Sequence, residues 1–119
     1  MTNKFQTAMD FVADLNKSHG VMQRGGKQYT EVAKRVEAFR TVFGGEYGID
    51  TDIINNDGQT VVVKATVKDK DGFVVGSGLA EEIRGSSNIT KTSAVEVCET
   101  SAIGRALASM GMHGGQYAS

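Results

Sequence analysis

Apolar residues in the first part of the chain recur every three or four positions, which is the spacing of one helical face. This pattern predicts a helix over residues 4–18, with Gly20 as its stop, and a second helix over residues 30–43. Thr30 is placed to cap the second helix, and the pair Gly44–Gly45 is placed to end it. The sequence therefore opens with two amphipathic helices.

After the second helix the apolar spacing changes to two, which is the period of a β-strand. The pattern predicts strands in "YGIDTDII", "QTVVVKATVKD" and "FVVGSGLAEEI", joined by "NNDG" and "KDGF", whose residues tolerate the positive φ of tight turns. The second strand has one apolar face, made of Val61, Val63, Ala65 and Val67. One face of the third strand is predicted to carry Val74, Gly76, Gly78 and Ala80. Three strands with two tight turns make an antiparallel meander.

The last helical pattern runs from Ser93 to Met110. Ser93 and Glu96 have the spacing of a capping box, and Gly111 is placed to stop the helix. A narrow stripe of small residues suits close packing on a sheet: Ala94, Cys98, Ala102 and Ala106. The order helix-helix-β-β-β-helix predicts an α+β fold, a three-stranded antiparallel β-meander with helices packed on one face.

Composition excludes several classes of protein. The chain has 119 residues, enough for one domain, and no apolar run that could span a membrane. The N-terminus lacks the apolar core of a secretory signal, and Cys98 is the single cysteine, so a cytoplasmic location is expected. His19 and His113 have no paired carboxylate at useful spacing, and no metal-ligand pattern is present. We therefore expect no catalytic residue, metal or cofactor, and no enzyme.

The net charge of −1 is low for an obligate nucleic-acid binder, although an acidic middle lies between mildly basic segments. In "QRGGKQY", Arg24, Lys27 and Tyr29 precede a helix and are the residue types that hold phosphates and stack a base. A flexible surface turn is the alternative interpretation. Lys64 and Lys68 share one strand face, which is either cationic by function or simply solvated.

Arg105 follows Gly104 directly, inside the last predicted helix. A helical glycine costs about 1 kcal/mol relative to alanine, so the absence of a side chain suggests close approach by backbone or ligand. An arginine there can grip a phosphate with two hydrogen bonds. The alternative, which spacing alone favours, is an ion pair with Glu81 or Glu99. Other cations are most simply a solvated helix face: Lys34, Arg35 and Arg40.

Three stretches in order resemble Rad-fifty-two-type single-strand annealing proteins: "QRGGKQYTEVAKRVEAFRTVFGGEYGIDTDI", "VVVKATVKDKDGFVVGSG" and "SAVEVCETSAIGRALASMG". The resemblance implies an annealing core over residues 21–119, preceded by an N-terminal helical segment over residues 1–20. It implies ATP-independent binding and annealing of single-stranded DNA in recombination or repair, by a homo-oligomeric ring or filament. A bacteriophage origin and recombination or replication proteins as partners are also implied.

The resemblance also assigns residues. Arg24 and Arg105 are similar to arginines of that family that contact the strand, and Tyr29 is similar to an aromatic residue implicated in DNA binding. The full set expected to bind DNA is Arg24, Lys27, Tyr29, Lys64, Lys68, Arg84, Lys91 and Arg105. The chain departs from the family because Gly104 replaces a lysine, and earlier cations are replaced by Val95, Glu96 and Val97. We therefore expect a weaker groove with a shallower dependence on salt.

Two other functions remain open at this point. The chain can protect single strands without annealing them, or it can be a structural oligomer that never touches nucleic acid. The predicted sheet has unpaired edges, and β-pairing between copies would close them. The low net charge favours the structural oligomer, whereas the resemblance favours annealing.

Overall fold

The computed structural model describes residues 3–18, 21–22, 28–29 and 31–115, with side chains over 3–18 and 31–115. Its helices and strands, in chain order, are α1 (Lys4–Ser18), β1 (Val21–Met22), β2 (Gln28–Tyr29), α2 (Val32–Phe43), β3 (Gly48–Asn56), β4 (Thr60–Lys68), β5 (Val74–Ile83) and α3 (Thr90–Ser109). The predicted α+β fold and its order of three helices and a three-stranded meander are confirmed. The short antiparallel pair β1–β2 was not predicted.

The main sheet has the strand order β3-β4-β5, and both pairings are antiparallel. The predicted apolar face of β4 is fully buried, and its members are Val61, Val63, Ala65 and Val67. Between β4 and β5 the register shifts at a bulge, so that Val74 pairs with Lys68 while Gly76 pairs with Val67. The prediction that Val74 shares a face with Gly76 is therefore wrong, because the bulge moves Val74 to the side of the exposed Lys68.

Helix α3 packs across β5 and β4 with its stripe of small residues, which is buried as predicted. Two glycines of β5 permit this close packing. A Cβ added to Gly78 would come within 2.5 Å of the Ala106 backbone nitrogen, and one added to Gly76 within 2.8 Å of the Ala106 carbonyl oxygen. Backbone atoms at that distance cannot move aside cheaply, so only glycine fits at these positions of the strand.

Helices α1 and α2 pack on each other around an aromatic cluster. The ring centroids of Phe43 and Tyr47 are 4.5 Å apart, and those of Phe5 and Phe43 are 5.4 Å apart. Gly44 ends α2 with φ 60°, as the glycine pair predicted. Within the described part of the chain, no helix is both long enough and apolar enough to cross a membrane.

Two further predictions are wrong. Arg35 is not on a solvated face: it has no exposed surface, and its Nη1 donates to the carbonyl oxygens of Gly104 and Met112, each at 3.2 Å. The predicted capping box at Ser93 does not form, because α3 already begins at Thr90 and Ser93 lies at a kink inside it, with φ −132°. Arg35 therefore supports the core, and Ser93 lies at a kink between the first turn of α3 and its longer remainder.

The start of α3 is held by hydroxyl groups instead. Thr90 is 2% exposed, and its Oγ1 accepts a hydrogen bond from the backbone N–H of Ser87 at 2.9 Å. The hydroxyl of Ser86 lies 3.2 Å from the same oxygen. This cluster fixes the loop between β5 and α3, and so sets where α3 lies on the sheet. The predicted caps at Gly20 and Thr30 fall outside the described residues.

Candidate nucleic-acid interface

A recess of about 350 Å³ lies at the β5 edge of the main sheet. Three elements contribute to its lining, which is made of Lys64, Ser77, Gly78, Leu79 and Arg105. Lys64 alternates with buried residues of β4, so it projects from the sheet face opposite α3, whereas Arg105 belongs to α3 itself. The recess therefore joins the two sides of the sheet across its edge strand.

Gly78 positions Arg105 in this recess. An added Cβ at Gly78 would come within 2.7 Å of the Arg105 Cβ, so the arginine side chain begins in direct contact with the strand backbone. Lys64 pairs with Leu79 in the register of β4 and β5, which places it next to the same stretch of β5. The close packing of α3 on glycine thus places Arg105 at the same recess that Lys64 lines from β4.

No described residue forms a hydrogen bond or ion pair with the side chain of Arg105 or Lys64. The ion pair of Arg105 with Glu81 or Glu99, which spacing favoured, is absent from the structure; Glu99 instead accepts a hydrogen bond from the Thr51 hydroxyl at 2.6 Å. The nearest acid in register is Asp52, the β3 partner of Lys64. Two exposed cations without a described counter-ion are the main electrostatic feature of the recess.

Lys68 lies four residues further along β4 than Lys64, or about 13 Å along the strand. Its Nζ is 3.7 Å from an Oδ of Asp50, and both side chains are largely exposed. Such an exposed pair is worth little energetically, so Lys68 remains available to a stronger anion. It extends the cationic line of β4 but does not line the recess.

The structure does not bring the other described cations to this site. Arg84 donates a hydrogen bond to the Asn56 side-chain oxygen at 2.7 Å, which ties the end of β5 to the β3–β4 turn. Lys91 is exposed in the first turn of α3, roughly 20 Å along the helix from Arg105. Arg84 therefore has a structural contact, and Lys91 belongs to the opposite end of α3.

The predicted phosphate-binding stretch before α2 is largely outside the described residues. Arg24 and Lys27 belong to that undescribed part. Tyr29 is described only by its backbone, which pairs with Val21 in the small β1–β2 ladder. The assignment of these three residues to nucleic-acid binding stays a prediction.

A second recess, of about 380 Å³, follows one side of α3. Its lining combines apolar and hydroxyl-bearing residues with one acid: Ile89, Ser93, Glu96, Val97, Thr100 and Ser101. Because that lining has a carboxylate and no cation, it does not suit a phosphate. The first recess is therefore the better candidate for an anionic ligand.

Two titratable groups show how the surrounding structure controls ionisation. Burial raises the pKa of the Cys98 thiol, whose sulfur donates towards the carbonyl oxygen of Ala80 at 3.2 Å. This agrees with the interpretation of Cys98 as a core residue. Backbone N–H groups of Thr60 and Gln59 lower the pKa of Asp57 in the β3–β4 turn. Neither group lies in the cationic recess.

Sequence reasoning missed the β5 side of the recess. Ser77, Gly78 and Leu79 were assigned to a strand but not to a site, although "GSG" on a strand signals close approach of another element. The sequence singles out Gly104 instead, but the Gly104 carbonyl oxygen accepts a hydrogen bond from the buried Arg35. The signal for the site was thus the glycine on the strand rather than the glycine on the helix.

Residues 36–110 match the Slr1353 N-terminal dsRNA-binding domain-like family. The chain belongs to this family. The matched segment runs from within α2 through the meander to the end of α3, and so contains every residue of the cationic recess. No curated protein and no solved structure matches the chain.

Membership of this dsRNA-binding domain-like family indicates a nucleic-acid-binding domain. It does not bear on strand annealing and gives no support to the resemblance to Rad-fifty-two-type annealing proteins, which stays a prediction. The matched residues lie inside the predicted core of residues 21–119. Nucleic-acid binding is therefore the coarse function on which the family match and the cationic recess agree.

Proposed function

We propose that this chain is a non-catalytic protein that binds single-stranded nucleic acid through phosphates, and that assembled copies bring complementary strands together. One observation carries the proposal: Lys64 and Arg105 lie in a single recess at the β5 edge, without a counter-ion among the described residues. A guanidinium can bind a phosphate through two hydrogen bonds, and the nearby ammonium adds a point charge.

The same arrangement argues against base recognition. The recess offers two cations, the hydroxyl of Ser77 and the apolar side chain of Leu79. Phosphate contacts fix the register of a strand but carry no sequence information. Binding is therefore expected to be independent of sequence and to leave base edges free for pairing, which is what annealing in recombination or repair requires.

A single copy has few cations for this task, since the net charge of the chain is −1. The strands β3 and β5 are the edges of the main sheet, and nine-residue β3 has no described neighbour on its outer side. If the edge strands of neighbouring copies paired, several recesses would be aligned along one nucleic-acid strand. Homo-oligomerisation of this kind is part of the proposal, because it would add the weak contacts of several copies together.

Double-stranded RNA is the second candidate, and the family match favours it. Domains that bind double-stranded RNA read the shape of the duplex and contact phosphates across its grooves. The order α2-β3-β4-β5-α3, with α3 packed on the sheet and α2 packed on α3, provides a surface for such contacts. The two candidates differ in their preference between single strands and duplexes.

Fluorescence anisotropy with labelled oligonucleotides at low salt tests the proposal. Single-stranded DNA, single-stranded RNA and duplex RNA of one length are compared. We expect Arg105→Ala or Lys64→Ala to weaken binding of single strands about tenfold and to make its salt dependence shallower. Lys34→Ala is the control, because this exposed lysine of α2 lies outside the recess and outside the set of residues expected to bind DNA.

A second assay separates annealing from protection. Complementary dye-labelled strands are mixed with the chain, and pairing is followed by energy transfer between the dyes. Faster pairing supports annealing, whereas slower pairing indicates protection. Tighter binding of duplex RNA than of any single strand would favour the second candidate, and equal binding by Arg105→Ala and the unchanged chain would remove the recess from the interface.

A further inference from the structure

Phe73 is the most exposed large apolar side chain among the described residues, at 70%. It lies in the β4–β5 turn, immediately before β5 begins at Val74, which is itself 48% exposed. The rings of Phe5, Phe39, Phe43 and Tyr47 contact one another, but no described aromatic ring contacts Phe73. Phe73 therefore contributes nothing to the core of the described chain.

The turn nevertheless fixes the backbone of Phe73. One Asp69 side-chain oxygen accepts hydrogen bonds from the backbone N–H groups of Asp71 and Phe73, both at 2.9 Å. The Asp69 N–H donates to the Phe73 carbonyl oxygen at 2.9 Å, and Gly72 completes the turn with φ 85°. Both backbone polar groups of Phe73 are thus fixed by Asp69. A ring held in this way loses little backbone freedom when a ligand packs against it.

Charges around the turn do not make it an anion site. Lys68 is within 3.7 Å of Asp50, and the Asp69 carboxylate accepts backbone hydrogen bonds. Lys70 and Asp71 are exposed and of opposite sign. The turn therefore offers an apolar ring rather than net positive charge, which suits contact with a neutral flat group rather than with a phosphate.

We propose that Phe73 stacks on an unpaired base of the strand whose phosphate lies at the Lys64–Arg105 recess; this deepens the proposed function and rests on it. Leu79 of the recess lies on β5, six residues after Phe73, so at most about 20 Å of chain separates them, which a nucleic-acid strand several nucleotides long can span. Every base has a face that can stack on an aromatic ring, so this contact is independent of sequence. Bases inside a duplex are already stacked, so Phe73 selects single strands.

Tryptophan fluorescence gives a direct test, because the chain contains no tryptophan. Phe73→Trp places a single indole on the turn, and Phe11→Trp is the matched control on α1, where Phe11 is 37% exposed and α1 packs against α2. Each variant is titrated with a thymidine oligonucleotide and with an abasic oligomer of equal length. We expect the thymidine strand to quench only the indole at position 73, and the abasic strand to quench neither.

Binding measurements complete the test. Phe73→Ala and Phe73→Leu should each weaken binding of the thymidine strand about tenfold and leave duplex binding unchanged, since leucine keeps the apolar contact but lacks a ring. If the strand binds without quenching Phe73→Trp, stacking is overturned while phosphate binding stands. If no oligonucleotide binds at all, the proposed function and the stacking both fail. A blue shift of the indole that depends on protein concentration alone would assign the ring to self-association instead.

Discussion

Arg35 of α2 donates a hydrogen bond from its Nη1 to the backbone carbonyl oxygen of Gly104 in α3, across 3.2 Å. The same nitrogen donates to the carbonyl oxygen of Met112, beyond the end of α3. A fully buried guanidinium thus connects two helices and the segment that follows them. Arg105, which follows Gly104 in α3, is exposed and lines the recess. Two adjacent residues of one helix therefore contact the core and the candidate interface respectively.

Replacing Arg35 is expected to be strongly destabilising. Arg35→Met keeps much of the side-chain volume but leaves buried carbonyl groups without their charged donor, which costs about 3 kcal/mol or more. Arg40→Met is the control on the same helix, because Arg40 also donates to two carbonyl oxygens, those of Gly44 and Tyr47, but is exposed. Urea unfolding of both variants measures the effect. If Arg35→Met lowers the free energy of unfolding no more than Arg40→Met does, the prediction is wrong.

Gly78→Ala is expected to displace α3 from β5. The added methyl group would meet the backbone of Ala102 and Ala106, and overpacking of this kind costs about 1–3 kcal/mol. Gly48→Ala, in β3, is the comparison, because an added Cβ there meets nothing within 4 Å. Thermal unfolding should show a lower melting temperature for the first variant alone. Equal melting temperatures would mean that α3 does not depend on this contact.

Cys98 makes stability depend on pH at the alkaline end. Its pKa is raised above 9.0 in the folded chain because burial disfavours the thiolate, whereas the unfolded thiol ionises near 9.0. The contribution of the buried, protonated thiol to the free energy of unfolding is therefore complete below pH 9, and the free energy of unfolding declines as the pH rises beyond that value. Cys98→Ala should lose part of the alkaline decline in unfolding free energy. A thiol reagent that labels the native chain as fast as the unfolded chain would show that Cys98 is accessible.

Asp57 acts in the opposite direction at acid pH. The N–H groups of Thr60 and Gln59 favour its carboxylate and lower its pKa below 3.8. The contribution of Asp57 to the free energy of unfolding is present above pH 3.8 and is lost as the pH falls below that value. Asp57→Asn keeps an acceptor oxygen but cannot titrate, so its unfolding free energy should fall less between pH 6 and pH 3. Asp71→Asn, an exposed residue of the other turn, is the control and should follow the unchanged chain.

The meander could be predicted from the sequence because its signals are local. Alternation around Val61 and Val63, together with Gly58 and Gly72 at positive φ, determines strands and turns within a few residues. The bulge that moves Val74 could not be predicted, because it depends on how β5 pairs with β4 while α3 packs above Gly76. Local spacing describes a strand but not its irregular register.

Arg35 and Arg105 show the same limit for side chains. Arg35 precedes the buried Phe39 by four residues, which is the spacing of one helical face, but its charge favours solvent, and the sequence therefore predicts a solvated face for it. Its burial depends on carbonyl groups about 70 residues away in the chain. The position of Arg105 in the recess that Lys64 also lines likewise depends on tertiary packing at Gly78. The sequence identifies Arg105 and Lys64 as candidates, but sequence spacing does not predict that they line one recess.

The core extends beyond the segment shared with the family. Met112 has no exposed surface, and Gly111, with φ 100°, lies so near Met9 that an added Cβ would be 2.5 Å from its sulfur. Ala8 and Val12 of α1 are buried as well. A fragment trimmed to residues 36–110 would therefore expose apolar, aggregation-prone surface where α1 and the last turn had packed. Anyone transplanting this module into a fusion protein has to carry both flanks with it.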